Sequence, residues 1–299
     1  MRILDMAELL LLAALWGGSF LFMRLAAPVL GPLWLIDFRV LIAGLALLPL
    51  LLRLQAGAVV RAKLKPLFIV GCLNSALPFV LLAFASLSLP AGYTSIVNAT
   101  TPLFGTLVAA IWFQEKLTTA RLLGLLLGFV GVVVLIGWQP LAMTPMTIGA
   151  IAAGLAAAMM YAIAAPYARR QLSGLSPIII ATVSQLSAAV ALSPLLPFTV
   201  PSAAPSAQIV LAVLALALFS TALAYLLYFR LIQNIGSSKA LTVAYLVPVF
   251  AMMWGALFLQ EPITIAMVAG CGLLLLGTAI SNDLFKFAFK AKAALAQVH

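Results

Sequence analysis

Thr94, Asn98, Thr101 and Gly105 recur along one apolar stretch at steps of four, three and four. On an α-helix that spacing sets all four on one face. The stripe offers an amide and two hydroxyls to a zwitterionic ligand, with Gly105 leaving room beside them. The same groups would also serve hydrogen bonding between closely packed helices, and both readings stand. Ser75 and Phe79 are spaced i, i+4, with Asn74 and Pro78 adjacent; Thr221, Tyr225 and Tyr228 share a face; Thr242 and Tyr245 precede Pro248. Trp16 and Tyr161 lie deep within apolar runs, away from the run ends where interfacial aromatics gather. That depth favours cavity lining over core packing. Aromatic faces with a few hydrogen-bonding groups suit a mostly apolar pocket. The substrate-binding candidates are therefore Trp16, Ser75, Phe79, Thr94, Asn98, Thr101, Tyr161, Tyr225, Tyr228 and Tyr245.

Other chemistries find little support. The one histidine is the last residue, His299, so no Cys/His cluster points to a metal, and no cofactor is expected. Cys72 and Cys271 sit inside apolar runs and read as buried, reduced thiols. The acidic residues are Asp5, Glu8, Asp37, Glu115, Glu261 and Asp283, nearly all near the ends of apolar runs. With no paired carboxylates and no nucleophile and base within those runs, no catalytic residue is assigned and an enzyme is not expected. Asp37 can pair locally with Arg39 or Arg24, which favours gradient-driven movement of a solute over obligatory proton exchange. Pro78, Pro102 and Pro248 fall within apolar runs, where each removes a backbone donor and bends a helix. Such bends are either hinges or static kinks, and the carbonyl freed beside each is a candidate acceptor for an ammonium group.

The elements that must position these residues follow from composition. Hydrophobic residues make up 66% of the 299 positions and charged ones 7%, with mean hydropathy +1.25. A soluble domain carries about a quarter of its residues charged; this chain needs lipid as its solvent. In lipid the backbone must bond within its own segment, and long apolar runs without period-two alternation favour helices over a barrel. Ten spans are expected, near residues 7–27, 33–52, 66–87, 92–113, 121–138, 147–168, 176–197, 207–231, 239–259 and 265–282. Turn signals separate them at Gly31-Pro32, Leu89 to Gly92, Gln139-Pro140, Ser173 to Pro177, Pro201 to Pro205 and Gly236 to Ser238. Basic residues collect in alternate connections: Arg53 to Lys65, Lys116 with Arg121, Arg169-Arg170, Arg230 with Lys239, and the tail with Lys286, Lys290 and Lys292. Cytoplasmic loops collect Lys and Arg, so both termini are expected in the cytoplasm of a multi-pass inner-membrane protein. The net charge of +10 is thereby explained as topology, and nucleic acid is not an expected partner.

Sliding the sequence along itself by about 145 residues sets Trp16 on Tyr161, Pro32 on Pro177 and Pro49 on Pro194. One residue further on, Pro102 meets Pro248, Gln114-Glu115 meets Gln260-Glu261, Thr118 meets Thr264, Gly124 meets Gly270 and Gly131 meets Gly277. Five spans per copy is an odd number, so the second copy enters the membrane from the opposite side. The loop charges reverse accordingly: Arg53 to Lys65 is basic, its counterpart near Pro201 to Pro205 uncharged. The expected fold is all-α and integral to the membrane, with two inverted five-helix repeats around a central cavity. The divisions are 1–143, 144–285 and a basic tail at 286–299. Transporters place their substrate between such repeats and alternate access by rocking one against the other.

Leu15-Trp16-Gly17-Gly18-Ser19-Phe20, Phe38-Arg39, and Pro102 followed by Gln114-Glu115-Lys116-Leu117-Thr118 resemble the drug/metabolite transporter superfamily, specifically its EamA family. Pro248 followed by Gln260-Glu261-Pro262-Ile263-Thr264 echoes the last of these, with Pro262 where the first copy has Lys116. The resemblance covers nearly the whole chain. It implies a ten-helix carrier with cytoplasmic termini and a central cavity, many members exporting amino acids or related metabolites. Within the family the chain is most similar to YddG-type bacterial aromatic amino acid exporters. The resemblance implies an amino acid exporter, aromatic cargo included, with another metabolite or a drug as the alternative. Because both halves are fused, a functional monomer in the lipid bilayer is expected.

Overall fold

The computed structural model describes residues 2–138, 142–201 and 204–282. The Gln139-Pro140 turn, Ser202 and Ala203, Asp283 and the basic tail lie outside the described residues. Among the described residues every regular element is helical. The order is α1 (Ile3–Arg53), α2 (Gly57–Ala62), α3 (Leu64–Gly71), a π-turn (Cys72–Ala76), α4 (Leu77–Ala85), α5 (Ala91–Asn98) and α6 (Thr101–Trp112). It continues with α7 (Thr119–Gly137), α8 (Pro145–Gln171), α9 (Pro177–Leu192), a 3₁₀ turn (Ser193–Phe198), α10 (Ala207–Ala217), a second π-turn (Leu218–Leu223) and α11 (Ala224–Ile235). The last described elements are α12 (Ser237–Ala240), α13 (Val243–Leu259) and α14 (Ile265–Ser281). Among the described residues seven helical segments are long and apolar enough to cross a membrane, and α13 and α14 are shorter apolar helices.

Breaks in these helices have local causes. The 51 residues of α1 would run about 76 Å if straight, more than twice the ~30 Å hydrocarbon core. Gly31 divides them, at φ 74° and ψ 155°, a backbone state that glycine adopts without a Cβ penalty. Pro32 restarts the helix where its missing N–H costs nothing. Pro78 follows the first π-turn, where an extra residue per turn eases the ring past the preceding carbonyls. In the second π-turn the Thr221 hydroxyl donates to Leu216 O at 2.9 Å. The expected fourth span is two helices, α5 and α6, parted at Ala99-Thr100. Pro102 has no N–H for Asn98 O, and the Thr101 hydroxyl donates to it instead at 2.7 Å. The carbonyl that this proline frees is thus already bonded within the span, against the expectation that it binds an ammonium.

Glycines set the closest helix crossing. A Cβ on Gly124 would meet Ser281 N at 2.5 Å and Gly277 O at 2.6 Å, and one on Gly131 would meet Gly270 O at 2.7 Å. As numbers rise along α7 they fall along α14, so the two helices cross antiparallel. On the other side of α7, Leu123, Leu126, Val130 and Val133 form an exposed apolar stripe, the face a lipid-solvated helix turns outward. The largest core cluster draws on α1, α4, α9, α10 and α13, uniting Met23, Val40, Phe79, Ala189, Leu216 and Ala251.

Candidate functional site

Arg39, on the second leg of α1, is 4% exposed. Its Nε donates to Thr221 Oγ1 at 3.0 Å, and Nη1 lies 3.8 Å from Met23 Sδ. The guanidinium carbon sits 3.6 Å above the centre of the Phe79 ring, where the negative face of the ring attracts a cation. Among the described residues no carboxylate forms an ion pair with Arg39. The expected pairing with Asp37 is therefore corrected. Residues two apart on a helix point to different sides, and Asp37 is itself 4% exposed with an unbonded Oδ1. Arg24, the other expected partner of Asp37, pairs with Glu261.

A second contact matches the first. Gln185 Nε2, on α9, donates to Ser75 Oγ in the first π-turn at 3.0 Å. A shift of 146 residues carries Ser75 to Thr221, and the 145-residue shift that holds on either side of Arg39 carries Arg39 to Ser184, the neighbour of Gln185. Each half thus sends a polar side chain to a hydroxyl in the π-turn of the other half. Both hydroxyl residues, Ser75 and Thr221, are buried. Tyr225 stands between the two contacts, its hydroxyl facing Ser75, Asn74 and Gln185 and lying near Arg39.

Aromatic rings extend this polar layer. Phe79 and Tyr161 meet edge-on at 6.5 Å between centroids, Trp16 and Tyr228 at 5.3 Å, and Phe229 contacts both Tyr225 and Tyr228. Of the residues expected from sequence, the structure brings Ser75, Phe79, Tyr161 and Tyr225 together around Arg39, with Trp16 and Tyr228 joined to them through Tyr225 and Phe229. The α5 stripe behaves differently. Thr94 is fully buried and its hydroxyl donates to Pro90 O at 3.1 Å; Thr101 bonds Asn98 O as described. Asn98 keeps a buried, unbonded Oδ1, and Gly105 faces open space. Tyr245 is turned toward Asn282. Pro78 and Pro248 are buried, Pro102 partly so. Arg39, Gln185 and Met23 were not among the expected site residues, and Thr221 was expected only as sharing a face with Tyr225 and Tyr228. For Arg39 the signal was available, because an ionisable side chain inside a span marks a functional site by default.

A separate polar cluster lies at one end of the bundle. Glu261, in the connection between α13 and α14, accepts the Ala91 amide at the start of α5 at 2.8 Å and pairs with Arg24 Nε at 3.3 Å. Arg24 Nη1 donates to Ser86 O at 2.8 Å and Leu87 O at 2.9 Å. Burial pushes the Glu261 carboxyl above the usual carboxylate range, against the pull of the Ala91 amide and of Arg24. Away from both clusters, a cleft of about 650 Å³ lined by Gly31, Val80, Phe84 and Ala153 is apolar and contains none of the expected site residues.

A sequence profile described as the EamA-like transporter family matches twice, over residues 6–137 and 147–282. An uncharacterized transporter of Archaeoglobus fulgidus is 26% identical over 273 residues, 91% of this chain and 96% of that protein. The uncharacterized transporter YoaV of Bacillus subtilis is 26% identical over 277 residues, 91% and 94% of the two chains. The uncharacterized inner membrane transporter YedA of Escherichia coli is 28% identical over 294 residues, covering 95% of this chain and 92% of that one. A crystal structure with 20% sequence identity superimposes at a TM-score of 0.66, over 95% of this chain and 98% of that one, a likeness of fold.

Proposed function

This chain belongs to the EamA-like transporter family, and from that premise we propose that it exports amino acids, aromatic ones included, from the cell by alternating access. It is a multi-pass membrane transporter. The observation that carries the amino acid reading is Arg39: a buried guanidinium with no carboxylate partner among the described residues, set among aromatic rings. Guanidinium groups receive carboxylates through paired N–H donors. A substrate carboxylate would take donors of Arg39 that Thr221 does not use. Phe79, Tyr161, Tyr225 and Trp16 would flank an apolar or aromatic side chain, and the unbonded Asn98 Oδ1 would accept from the ammonium. Ser75 and Tyr228 would complete the lining, with Thr94, Thr101 and Tyr245 as further candidates.

The same reading takes the chain across the inner membrane ten times, with both termini cytoplasmic and the two matched segments inverted. The break at Gly31 supports two crossings within α1, and the alternation of basic connections supports the orientation. The antiparallel crossing of α7 and α14, whose glycines correspond under the repeat, supports the inversion. A discontinuous span such as α5–α6 is a usual neighbour of a midplane substrate site. Fusion of both halves in one chain supports function as a monomer. Counterflow into proteoliposomes with labelled amino acids tests the reading, with nucleosides and cationic dyes as competitors. Competition confined to amino acids upholds it, and competition confined to dyes or nucleosides replaces it.

A further inference from the structure

We propose that Glu261 and Arg24 form a latch closing one mouth of the transport path, and that Glu115 and Arg169 form the equivalent latch at the other mouth when the first opens. This rests on the alternating-access reading above. The two Gln-Glu turns have the same backbone. Gln114 and Gln260 are both left-handed, at φ 53° and 56°. Glu115 N bonds Ala109 O at 3.4 Å and Glu261 N bonds Gly255 O at 3.1 Å. Thr118 and Thr264 cap the helices that follow, accepting from Arg121 N at 3.3 Å and Met267 N at 3.2 Å. Ala109 and Gly255 correspond under the same 146-residue shift. What differs is the carboxylate.

Glu261 reaches across the bundle, to α5 and to Arg24 on α1. Its side chain is 14% exposed. Glu115, at 50% exposure, turns back to Arg121 beside its own turn, at 2.9 Å. The repeat carries Arg24 to Arg169, and Arg169 is exposed. Packing shows the same asymmetry. Gly17 is pressed against Phe250 and Ala251, with a Cβ there falling 2.9 Å from Ala251 N, whereas Gly105, the counterpart of Ala251, faces open space. Gly92, beside the latched amide, is pressed against Met252 and Met267. The engaged copy thus sits at a closed mouth and the disengaged copy at an open one. A rocking motion that opens the first would bring Glu115 toward Arg169.

The test is accessibility of a cysteine at Gly105 in a background carrying Cys72→Ala and Cys271→Ala. Vesicles of both orientations are treated with a membrane-impermeant fluorescent maleimide. A cysteine at exposed Lys116 marks the face that carries Glu115. In the parent, G105C is expected to label from the Glu115 face. Glu261→Ala and, independently, Arg24→Met are expected to raise labelling from the opposite face by roughly tenfold, a modest population shift. Glu115→Ala is expected to leave labelling on the Glu115 face alone. Cross-linking of E115C to R169C by a short bifunctional maleimide is expected to rise in the Glu261→Ala background. The latch is overturned if Glu261→Ala and Arg24→Met both leave access confined to the Glu115 face. Labelling from neither face in any variant would overturn the latch together with the path beneath it.

Discussion

Arg39 lies over Phe79 at 3.6 Å, within a layer where Thr221 takes one of its donors. A flat guanidinium stacks where a compact ammonium does not. Arg39→Lys is therefore expected to keep the charge and lose the orientation. Phe79→Leu keeps an apolar side chain, somewhat smaller, and removes the ring face. A desolvated contact of this kind contributes about 2 kcal/mol. Each variant is expected to weaken amino acid binding by roughly thirtyfold, read as a shift in half-saturation in proteoliposomes. Unchanged half-saturation in both would detach the stack from substrate binding.

The aromatic lining makes a separate claim. Trp16→Ala, Tyr161→Ala and Asn98→Ala are each expected to lower transport while membrane insertion and yield stay at the parental level. Trp16 loses its contact with Tyr228 and Tyr161 its contact with Phe79, so the larger effect is expected with aromatic substrates. Full transport by all three variants would remove these residues from the site.

Inversion of the halves is tested by topology. Lys63 and Ser206 lie in connections that correspond under the repeat and are both exposed. Single cysteines at the two positions are expected to react with an impermeant reagent from opposite faces. Reaction from one face would make the halves parallel.

The glycine crossing offers a stability test. A Cβ on Gly277 would collide with Gly128 N and Gly124 O in the facing backbone, and backbone cannot step aside as a rotamer can. Gly277→Val is expected to cost at least the 1–3 kcal/mol or so of ordinary overpacking and to lower the unfolding temperature in detergent. Gly272, which faces open space, is the control: Gly272→Val should unfold with the parent.

Much of this fold is legible in the chain because lipid enforces it. Apolar runs had to be helices, and Gly31, Pro32 and Pro102 fall where helices restart or part. The 145-residue echo picked out the paired glycines that meet between α7 and α14. The candidate site was legible as single residues but not as pairs. Ser75 and Phe79 read as one helix face, but their partners Gln185 and Arg39 lie in other spans, and no local spacing encodes such contacts. Gln185 carries no motif at all. Arg39 is visible as a charge in an apolar run, but Asp37 two residues away offers it a local partner on paper and hides its contacts with other spans. The π-turns, which put Ser75 and Thr221 opposite those partners, leave no clear mark in composition. The Gln-Glu echo was plain, whereas the different partners of Glu115 and Glu261 depend on which mouth is closed.

Counterflow of labelled phenylalanine into liposomes, by the parent protein and by Arg39→Met, tests the central claim most directly. Saturable uptake is expected in the parent, suppressed by free phenylalanine and not by phenylalanine amide, and lost in Arg39→Met protein that still inserts and remains folded. Equal suppression by the amide, with undiminished uptake by Arg39→Met, would contradict a carboxylate held at Arg39.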